Sequence, residues 1–370
     1  MILSLDPAAF REMLAAPALA EPLSAVTGCP LVVVQVPDGS AGRLLAGLDI
    51  GATPAVVVVV APDSGCVPAS ADCGADVFLT EDASAAKRFT APAGGLTAAI
   101  AQLDASVTAH PIAATALALL LRSSAGGSGP TGAGGSGPAS AGGSGPVSLI
   151  AESATYSALQ AGAEFLSWRA AHEPRSPESG DSRVEVDQRP GELRITLARP
   201  ARRNAIDWRM RDALVSALAI AAADDSLRVI LRGDGPDFCA GGDLDEFGSR
   251  PDPALAHLIR LTRSPALLMQ KLTSRTTAYL HGSCLGAGIE LPAFARTIYA
   301  APDVRIGLPE IGLGLIPGAG GTASLPQRIG RWRTAFLALT GATIGAEEAL
   351  RWGLIDAVQD EALPSGPALR

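Results

Sequence analysis

The sequence predicts an α/β protein, because short runs of β-branched residues alternate with longer segments of helical apolar spacing through most of its 370 residues. Two further observations divide the chain. Its length exceeds that of one typical domain, and the pentapeptide GGSGP occurs three times at a period of eight between Gly126 and Pro146. We therefore expect two α/β regions joined by a linker.

The amino-terminal region, residues 1–124, carries the first predicted strands. Residues 31–36 and 55–60 are β-branched runs bounded by Pro, Asp and Gly, and residues 76–80 (DVFLT) resemble a third strand. An Ala- and Leu-rich stretch at residues 98–121 predicts helix that is broken near Pro111. These elements together predict a small α/β region.

The middle of the chain contains two predicted connectors and one predicted helix. Residues 125–146 form the Gly/Ser/Pro linker, which predicts disorder because nothing apolar can offset the entropy cost of ordering it. Residues 147–171 place apolar side chains at near-helical spacing, which predicts one long amphipathic helix packing on the core. Residues 172–183 are rich in Pro, Ser and charge, and they predict a second connector.

The carboxy-terminal region, residues 184–370, alternates helices with strands. Two short apolar runs flank Arg189-Pro190-Gly191-Glu192, which indicates a hairpin. Helices are predicted near residues 208–222 and 253–272, and strands at residues 228–232, 276–280 and 297–300.

The two regions show a weak similarity in the order of their predicted elements. In each, a helix, a strand and a turn (APDSG at residues 61–65, GDGPD at residues 233–237) precede a further apolar run. One interpretation is that the amino-terminal half is a degenerate copy of the carboxy-terminal half. The other is that any two α/β segments look alike at this level of detail.

The composition disfavours several classes of protein. Lys and Arg total 29 against 37 Asp and Glu, a net charge of −8, so no positive field attracts a phosphate backbone and we expect no nucleic-acid partner. No basic stretch leads into an apolar run near Met1, and no apolar run approaches about 20 residues. We therefore expect a cytoplasmic protein without a membrane partner. The five Cys form no CxxC pair and no His cluster accompanies them, which predicts no metal site.

Two small-residue segments follow predicted strands and carry candidate chemistry. FCAGGDL spans residues 238–244, and HGSCLGAGIEL spans residues 281–291. Small side chains let the backbone approach a ligand closely. Two N–H groups aimed at one point would stabilise an oxyanion, a recurring device of acyl chemistry. Taken singly, each segment is also typical of a tight turn.

Together with RRNAI at residues 202–206 and LPEIGLGLIPGAGGT at residues 308–322, these segments resemble motifs of the crotonase superfamily, the enoyl-CoA hydratase/isomerase family. The resemblance covers residues 184–358. It implies a crotonase-like spiral core of repeated ββα turns that binds acyl-CoA thioesters, and it implies a homo-oligomer. Family members continue beyond the segment matching Asp356 with helices that cover the acyl pocket, and we expect the helix at residues 147–171 to take their place.

The resemblance also assigns roles by motif position. The backbone N–H groups of Gly242 and Ala287 would form the oxyanion hole, and Glu290 and Glu310 would act as base and acid. Contacts with the substrate or with coenzyme A are assigned to five further residues, namely Arg202, Arg203, Ala240, Asp243 and Leu244.

A pair of glutamates suits hydration, because water addition to a conjugated double bond needs a base for the water proton at C3 and an acid at C2. The resemblance thus implies an enoyl-CoA hydratase without a metal or redox cofactor, with coenzyme A as part of the substrate. One alternative is double-bond isomerisation or other enolate chemistry of the superfamily. Another is a non-catalytic acyl-CoA-binding or scaffolding subunit. For the two glutamates themselves, the alternative to catalysis is that Glu290 complements a helix dipole and Glu310 is a surface residue of a Pro turn.

Overall fold

A computed structural model describes residues 2–16, 21–69, 73–125, 146–175, 183–250 and 252–359. The predicted linker lies outside these ranges except at its two ends, as does most of the predicted connector at residues 172–183. Contacts divide the chain into two compact units. The first unit comprises Met1–Trp168, Pro309–Ile316 and Ile329–Gly341, and the second comprises Arg169–Leu308, Pro317–Arg328 and Ala342–Arg370.

The first unit contains a five-stranded parallel sheet in which each strand pairs with the next along the chain. Its strands are β1 (Ile2–Leu5), β2 (Leu31–Gln35), β3 (Val56–Val60), β4 (Val77–Leu79) and β5 (Phe89–Thr90). The register places Val33 opposite Val58 and Val59 opposite Phe78. Strand β3 reads VVVVV and is buried throughout, the pattern of a parallel strand covered on both faces. The three predicted strands are confirmed, and β1 and β5 are additional to them.

Several helices of the described ranges accompany this sheet, besides the part of a later helix that lies within residues 329–341. They are α1 (Pro7–Ala15), α2 (Gly39–Arg43), α3 (Gly95–Ala109), α4 (Pro111–Ala125), α5 (Pro146–Gln160) and α6 (Ala163–Ala171). The predicted break at Pro111 is confirmed. The prediction of one helix over residues 147–171 is wrong, because the chain turns at Gly162, whose N–H donates to Leu159 O (2.9 Å). Among the described residues no single helix has the length and apolar composition to cross a bilayer, and α3 and α4 meet that test only as a pair bent by 109°.

The core of the first unit holds an ion pair among apolar side chains. Phe10, Val57 and Phe78 are fully buried there. Arg122 on α4 binds both carboxylate oxygens of Asp76 (Nε–Oδ1 2.8 Å, Nη2–Oδ2 2.5 Å) and also donates to three backbone carbonyls that precede β3. Buried charges are tolerated when they are paired and their hydrogen-bonding groups are satisfied. The ion pair therefore fixes α4 against the sheet.

The second unit contains two sheets. In the described part of this unit the strands are β6 (Val184–Arg189), β7 (Glu192–Leu197), β8 (Arg228–Gly233), β9 (Thr276–Leu280), β10 (Ser283–Leu285), β11 (Thr297–Ala300), β12 (Arg305–Gly307), β13 (Thr343–Ile344) and β14 (Ala357–Val358). The larger sheet has the order β14-β11-β9-β8-β7-β6, and all its pairs are parallel except the predicted β6–β7 hairpin. The smaller sheet has the order β10-β12-β13.

The remaining helices are α7 (Trp208–Ala223), α8 (Pro253–Thr262), α9 (Pro265–Leu272), α10 (Ala287–Glu290), α11 (Gly321–Thr340) and α12 (Ala346–Trp352). The prediction of one helix over residues 253–272 is wrong, because Ser264 Oγ caps a new helix by accepting from Leu267 N (3.2 Å) and Pro265 begins it. Helix α11 is interrupted at Gly330, where φ is 80°. The α/β class is confirmed in both units, whereas the degenerate-copy interpretation stays a prediction.

Candidate active site

Two backbone segments singled out by the sequence pack directly on each other in the second unit. Cys239 and Cys284 form a parallel β-bridge. Cys239 N donates to Ser283 O (3.0 Å), and Leu285 N donates to Cys239 O (3.0 Å). The FCAGGDL and HGSCLGAGIEL segments are therefore immediate neighbours, as a shared oxyanion site requires.

Glycines permit this close approach. A Cβ on Gly288 would lie 2.1 Å from Cys239 O, a distance that no real side chain could accept. Gly241 has a φ of +100°, and a Cβ there would lie 2.9 Å from Leu285 O. The small residues in both motifs are thus explained by packing of one backbone against another.

The amide groups assigned to the oxyanion hole lie on these segments. Ile206 N donates to Gly241 O (2.8 Å) and Asp243 N donates to Ile206 O (2.9 Å), so the intervening Gly242 N–H points away from Ile206. Ala287 is the first residue of α10, and its N–H has no acceptor within that one-turn helix. In the described part of the chain neither N–H donates a hydrogen bond. Both therefore remain able to bind an oxygen atom of a ligand.

The Glu290 carboxylate is held by backbone at the start of α11. Glu290 is 2% exposed, and its Oε2 accepts hydrogen bonds from Ala319 N and Gly321 N, both at 2.8 Å. A Cβ on Gly321 would lie 2.8 Å from the same oxygen, so this approach also needs a glycine. Two N–H donors on one oxygen stabilise a negative charge. The PGAGG part of the fourth motif therefore orients Glu290.

Glu310 lies in the first unit, on a 3₁₀ turn formed by Glu310–Leu313. It is 7% exposed, and its Oε2 has no hydrogen-bond partner among the described residues. Burial is the main cause that raises the pKa of Glu310 to about 8; a hydrogen bond from its own N–H opposes the shift, and the charge of Glu152 adds to it. The alternative of a surface residue is wrong for Glu310, and burial favours its protonated form.

Residues assigned to coenzyme A contacts differ in their surroundings. Arg203 Nε donates to Asp237 Oδ2 (2.8 Å), and this hydrogen bond is the main reason that the pKa of Asp237 is lowered to about 2. Arg202 and Ala240 are half-buried, and Leu244 is exposed. The charge of Arg203 is therefore already paired, and contacts of all these residues with coenzyme A stay predictions.

Asp243 is bound by arginines on both of its oxygens. Arg199 Nη1 lies 2.7 Å from Oδ2, and Arg175 Nη2 lies 2.8 Å from Oδ1. Arg175 and His172 also bind Asp245, with Nε–Oδ2 at 2.8 Å and Nε2–Oδ1 at 2.9 Å. Burial would raise the pKa of Asp245, but these hydrogen bonds outweigh it and lower the pKa to about 2. The start of the predicted connector is thus hydrogen-bonded to the end of the FCAGGDL segment and to Asp245, which follows it.

The structure brings some of the predicted site residues together. Gly242, Ala287 and Glu290 lie on abutting segments of the second unit, whereas Glu310 belongs to the first unit with Glu152. No sequence motif assigns a role to Glu152, to Arg175 or to the backbone that binds Glu290. A glutamate inside an amphipathic helix is the one signal that could have indicated Glu152. Within the described ranges no three His, Cys, Asp or Glu side chains are grouped as a metal ion would need.

The carboxy-terminal region, which carries most of the predicted site residues, is similar to known proteins. A family model for enoyl-CoA hydratase/isomerase matches residues 189–363. A 2,3-dehydroadipyl-CoA hydratase of Escherichia coli (strain K12) is 37% identical over 180 residues, which cover 48% of this chain and 69% of the relative. An enoyl-CoA isomerase/hydratase of Mycosarcoma maydis is 36% identical over 188 residues, covering 48% and 68%. Among solved structures, an enoyl-CoA hydratase from Thermoplasma volcanium GSS1 has 35% identity and a TM-score of 0.45, covering 48% of this chain and 72% of that chain.

Proposed function

Because the chain belongs to the enoyl-CoA hydratase/isomerase family of the crotonase superfamily, whose members are enzymes that act on acyl-CoA thioesters, we propose that it hydrates a 2-enoyl-CoA. The observation that carries this proposal is the opposite surroundings of two buried glutamates. Glu290 accepts two backbone N–H bonds that favour a carboxylate, whereas the pKa of Glu310 is raised to about 8. Two carboxyl groups whose surroundings favour opposite protonation states are suited to act as base and acid.

In the proposed reaction, Glu290 takes a proton from a water molecule whose oxygen bonds to C3 of the enoyl group. The electron pair of the double bond moves toward the thioester oxygen, and the N–H groups of Gly242 and Ala287 stabilise the resulting enolate. Glu310 then gives its proton to C2, and the thioester re-forms. The product is a 3-hydroxyacyl-CoA. A proton passed from Glu290 to Glu310 through solvent restores the starting state.

The proposal includes no metal or redox cofactor, because water addition involves no net transfer of electrons. Coenzyme A enters only as part of the substrate. The proposed partners are an acyl-CoA thioester and, by family resemblance, further copies of the same chain. A nucleic-acid partner is not proposed, since the net charge of −8 disfavours contact with phosphates.

The proposal is tested by screening enoyl-CoA thioesters for loss of their conjugated absorbance and then substituting the two glutamates. Glu290→Gln and Glu310→Gln should each lower hydration at least about 100-fold, the contribution of a positioned acid or base. Their effects should not add, because both residues act on one transition state. Glu347→Gln is the matched control at an exposed position and should keep the wild-type rate.

Solvent deuterium separates hydration from its alternatives, because a hydratase must incorporate it at C2 of the 3-hydroxyacyl product. An isomerase moves one proton between C2 and C4. Only one of the two substitutions would then be severe, and the other would leave isomerisation of a 3-enoyl-CoA nearly intact. If both single variants kept wild-type rates on every thioester tested, the catalytic assignment would be wrong and a binding subunit would be favoured.

A further inference from the structure

The RRNAI segment contains two consecutive residues in the left-handed backbone conformation. Arg203 and Asn204 both have a φ of 53°, and in the described ranges they are the residues other than glycine that adopt a positive φ. A Cβ atom disfavours this conformation, although Asn tolerates it better than most residues. Strained backbone of this kind persists when surrounding interactions hold it in place. The turn therefore needs a restraint from the residues around it.

The side-chain amide of Asn204 supplies such a restraint. Asn204 is fully buried, at 0% exposure. Its Oδ1 accepts a hydrogen bond from Arg199 N (2.7 Å), and its Nδ2 donates to Asp234 O (2.7 Å) and Asp237 O (2.9 Å). The last two carbonyls lie in the loop that leads from β8 to the FCAGGDL segment. Because both amide hydrogens are used, a side chain without an NH2 group cannot make the same set of contacts.

The backbone of the same turn binds the FCAGGDL segment. On one side of Asn204, Arg203 O accepts a hydrogen bond from Ala240 N (2.9 Å). On the other side, Ile206 forms a parallel β-bridge with Gly242. A change in the turn would therefore move the Gly242 N–H, which belongs to the proposed oxyanion hole.

A second restraint on the turn is weaker. The Arg203 side chain is 51% exposed where it pairs with Asp237, so water competes for that ion pair. The hydrogen bonds of the Asn204 amide are made in the protein interior, where the lower dielectric strengthens them. Asn204 is thus the stronger of the two restraints.

We propose that Asn204 is a positioning residue for the oxyanion hole, whose side-chain amide holds the turn at residues 203–204 so that the Gly242 N–H points at the thioester oxygen. This inference rests on the proposed function and deepens it. Asn204 is buried and acts through the backbone, without touching the substrate. Preorganised donors stabilise an oxyanion without reorganising as its charge develops, and a misplacement of about 1 Å can cost about 100-fold in rate.

Two substitutions separate the amide from the backbone conformation. Asn204→Asp keeps the size of the side chain but turns an oxygen atom toward the two loop carbonyls. Asn204→Gly accepts a positive φ without strain but loses all three side-chain hydrogen bonds. Each should lower kcat for hydration about 100-fold, and KM should stay close to the wild-type value, because the lost interaction acts in the transition state.

Thr276→Val is the matched control in the same unit. Thr276 is 1% exposed, and its Oγ1 donates to Leu272 O (2.8 Å) at the start of β9. The variant also loses a buried hydrogen bond to a backbone carbonyl, so its melting temperature should fall, but its kcat should stay at the wild-type value. An equal loss of kcat in Thr276→Val and Asn204→Gly would mean that lost stability explains the effect, and it would overturn the inference.

The carbonyl band of bound acetyl-CoA gives a measurement that needs no turnover. Donors aimed at the thioester oxygen lower its stretching frequency, and ¹³C at the carbonyl carbon separates this band from those of the protein. Infrared difference spectra of the full-length chain should show a downshift that shrinks in Asn204→Gly and persists in Thr276→Val. A full downshift in folded Asn204→Gly would overturn the inference, as would the absence of a downshift in wild type.

The amide itself can be followed by NMR, because Asn204 is the only asparagine in the sequence. Labelling the asparagine side chain with ¹⁵N should therefore give a single NH2 pair. Its two protons are buried in hydrogen bonds and should exchange slowly with solvent, and rapid exchange in the folded chain would contradict the proposed restraint. Absence of hydration with any enoyl-CoA would instead count against the proposed function, while the acetyl-CoA band would still decide the role of Asn204.

Discussion

The Trp332 indole meets the Phe78 ring edge to face, with ring centroids 6.3 Å apart and an interplanar angle of 75°. On either side of it, Arg331 Nη1 donates to Ala75 O (2.9 Å) and Arg333 Nε donates to Phe89 O (3.1 Å). Three consecutive residues from the family-matched region therefore bind the β4–β5 end of the amino-terminal sheet. The first unit is built from chain on both sides of residues 126–145.

Cleavage between residues 126 and 145, at an inserted protease site, should leave the two fragments associated. The fragments share one core, because α4 packs on α5 and Trp332 packs on Phe78. Size-exclusion chromatography after cleavage should give a single species of full-length mass. Trp332→Ala should weaken the association, and Trp208→Ala, at an exposed position, should not. Fragments that separate at micromolar concentration would contradict this prediction.

The backbone of Ala287 should matter more than its side chain. Ala287→Gly keeps the N–H and should keep most activity, whereas Ala287→Pro removes the N–H and should lower kcat on the order of 100- to 1,000-fold. Proline is tolerated at the first position of a helix, which Ala287 occupies, so the fold should survive. Circular dichroism and thermal unfolding check the fold. A folded and fully active Ala287→Pro enzyme would rule out the assigned oxyanion hole.

Gly288→Ala should destabilise the second unit and reduce activity together. Its Cβ would lie 2.1 Å from Cys239 O, so the two segments that carry Gly242 and Ala287 would have to separate. Gly345→Ala is the matched control, because its nearest contact would be Val304 O at an ordinary 4.0 Å. Thermal unfolding and kcat are the measurements. Equal melting temperatures for the two variants would show that the segments are not packed as described.

The contribution of Glu310 to the free energy of unfolding should fall as pH rises from about 4.5 to about 8. In the unfolded chain Glu310 ionises near its ordinary pKa of 4.5, whereas in the native chain its pKa is about 8. At Glu310 the unfolded state therefore binds fewer protons throughout this interval, so the contribution of this residue to stability decreases as pH rises. Glu310→Gln should remove this contribution in urea titrations at several pH values, and Glu347→Gln should retain it. The same pH dependence in wild type and Glu310→Gln would argue against the raised pKa.

Much of the fold follows from local sequence signals. Continuous β-branched runs predict β2 and β3, and Pro111 marks the break between α3 and α4. Strand β5 is only two residues long, Phe89–Thr90, which is too short for any periodicity to predict it. It is defined by its pairing with the edge of β4. The sequence does contain a signal for the break at Ser264, because a Ser followed by Pro begins many helices. The helical spacing of apolar residues on both sides nevertheless favours one continuous helix.

The candidate site is predictable only in part. Motif order leads to Gly242, Ala287, Glu290 and Glu310, because these residues lie within short segments of characteristic sequence. Glu152 lies outside these segments, and helical periodicity shows which side of a helix is buried but not what surrounds a residue on that side. The hydrogen bonds of Arg175 to Asp243 and Asp245 are hidden for the same reason, since they join residues far apart in sequence.

The first unit is assembled from segments far apart in sequence, so it can form only after all of them have been synthesised. A ribosome releases the amino-terminal sheet long before Ile329–Gly341, the segment that brings Trp332 to Phe78. Until that segment emerges, the β4–β5 end of the sheet lacks the contact with Trp332. Contacts between residues so distant in sequence slow folding. The first unit can therefore be completed only after residues 329–341 have been synthesised.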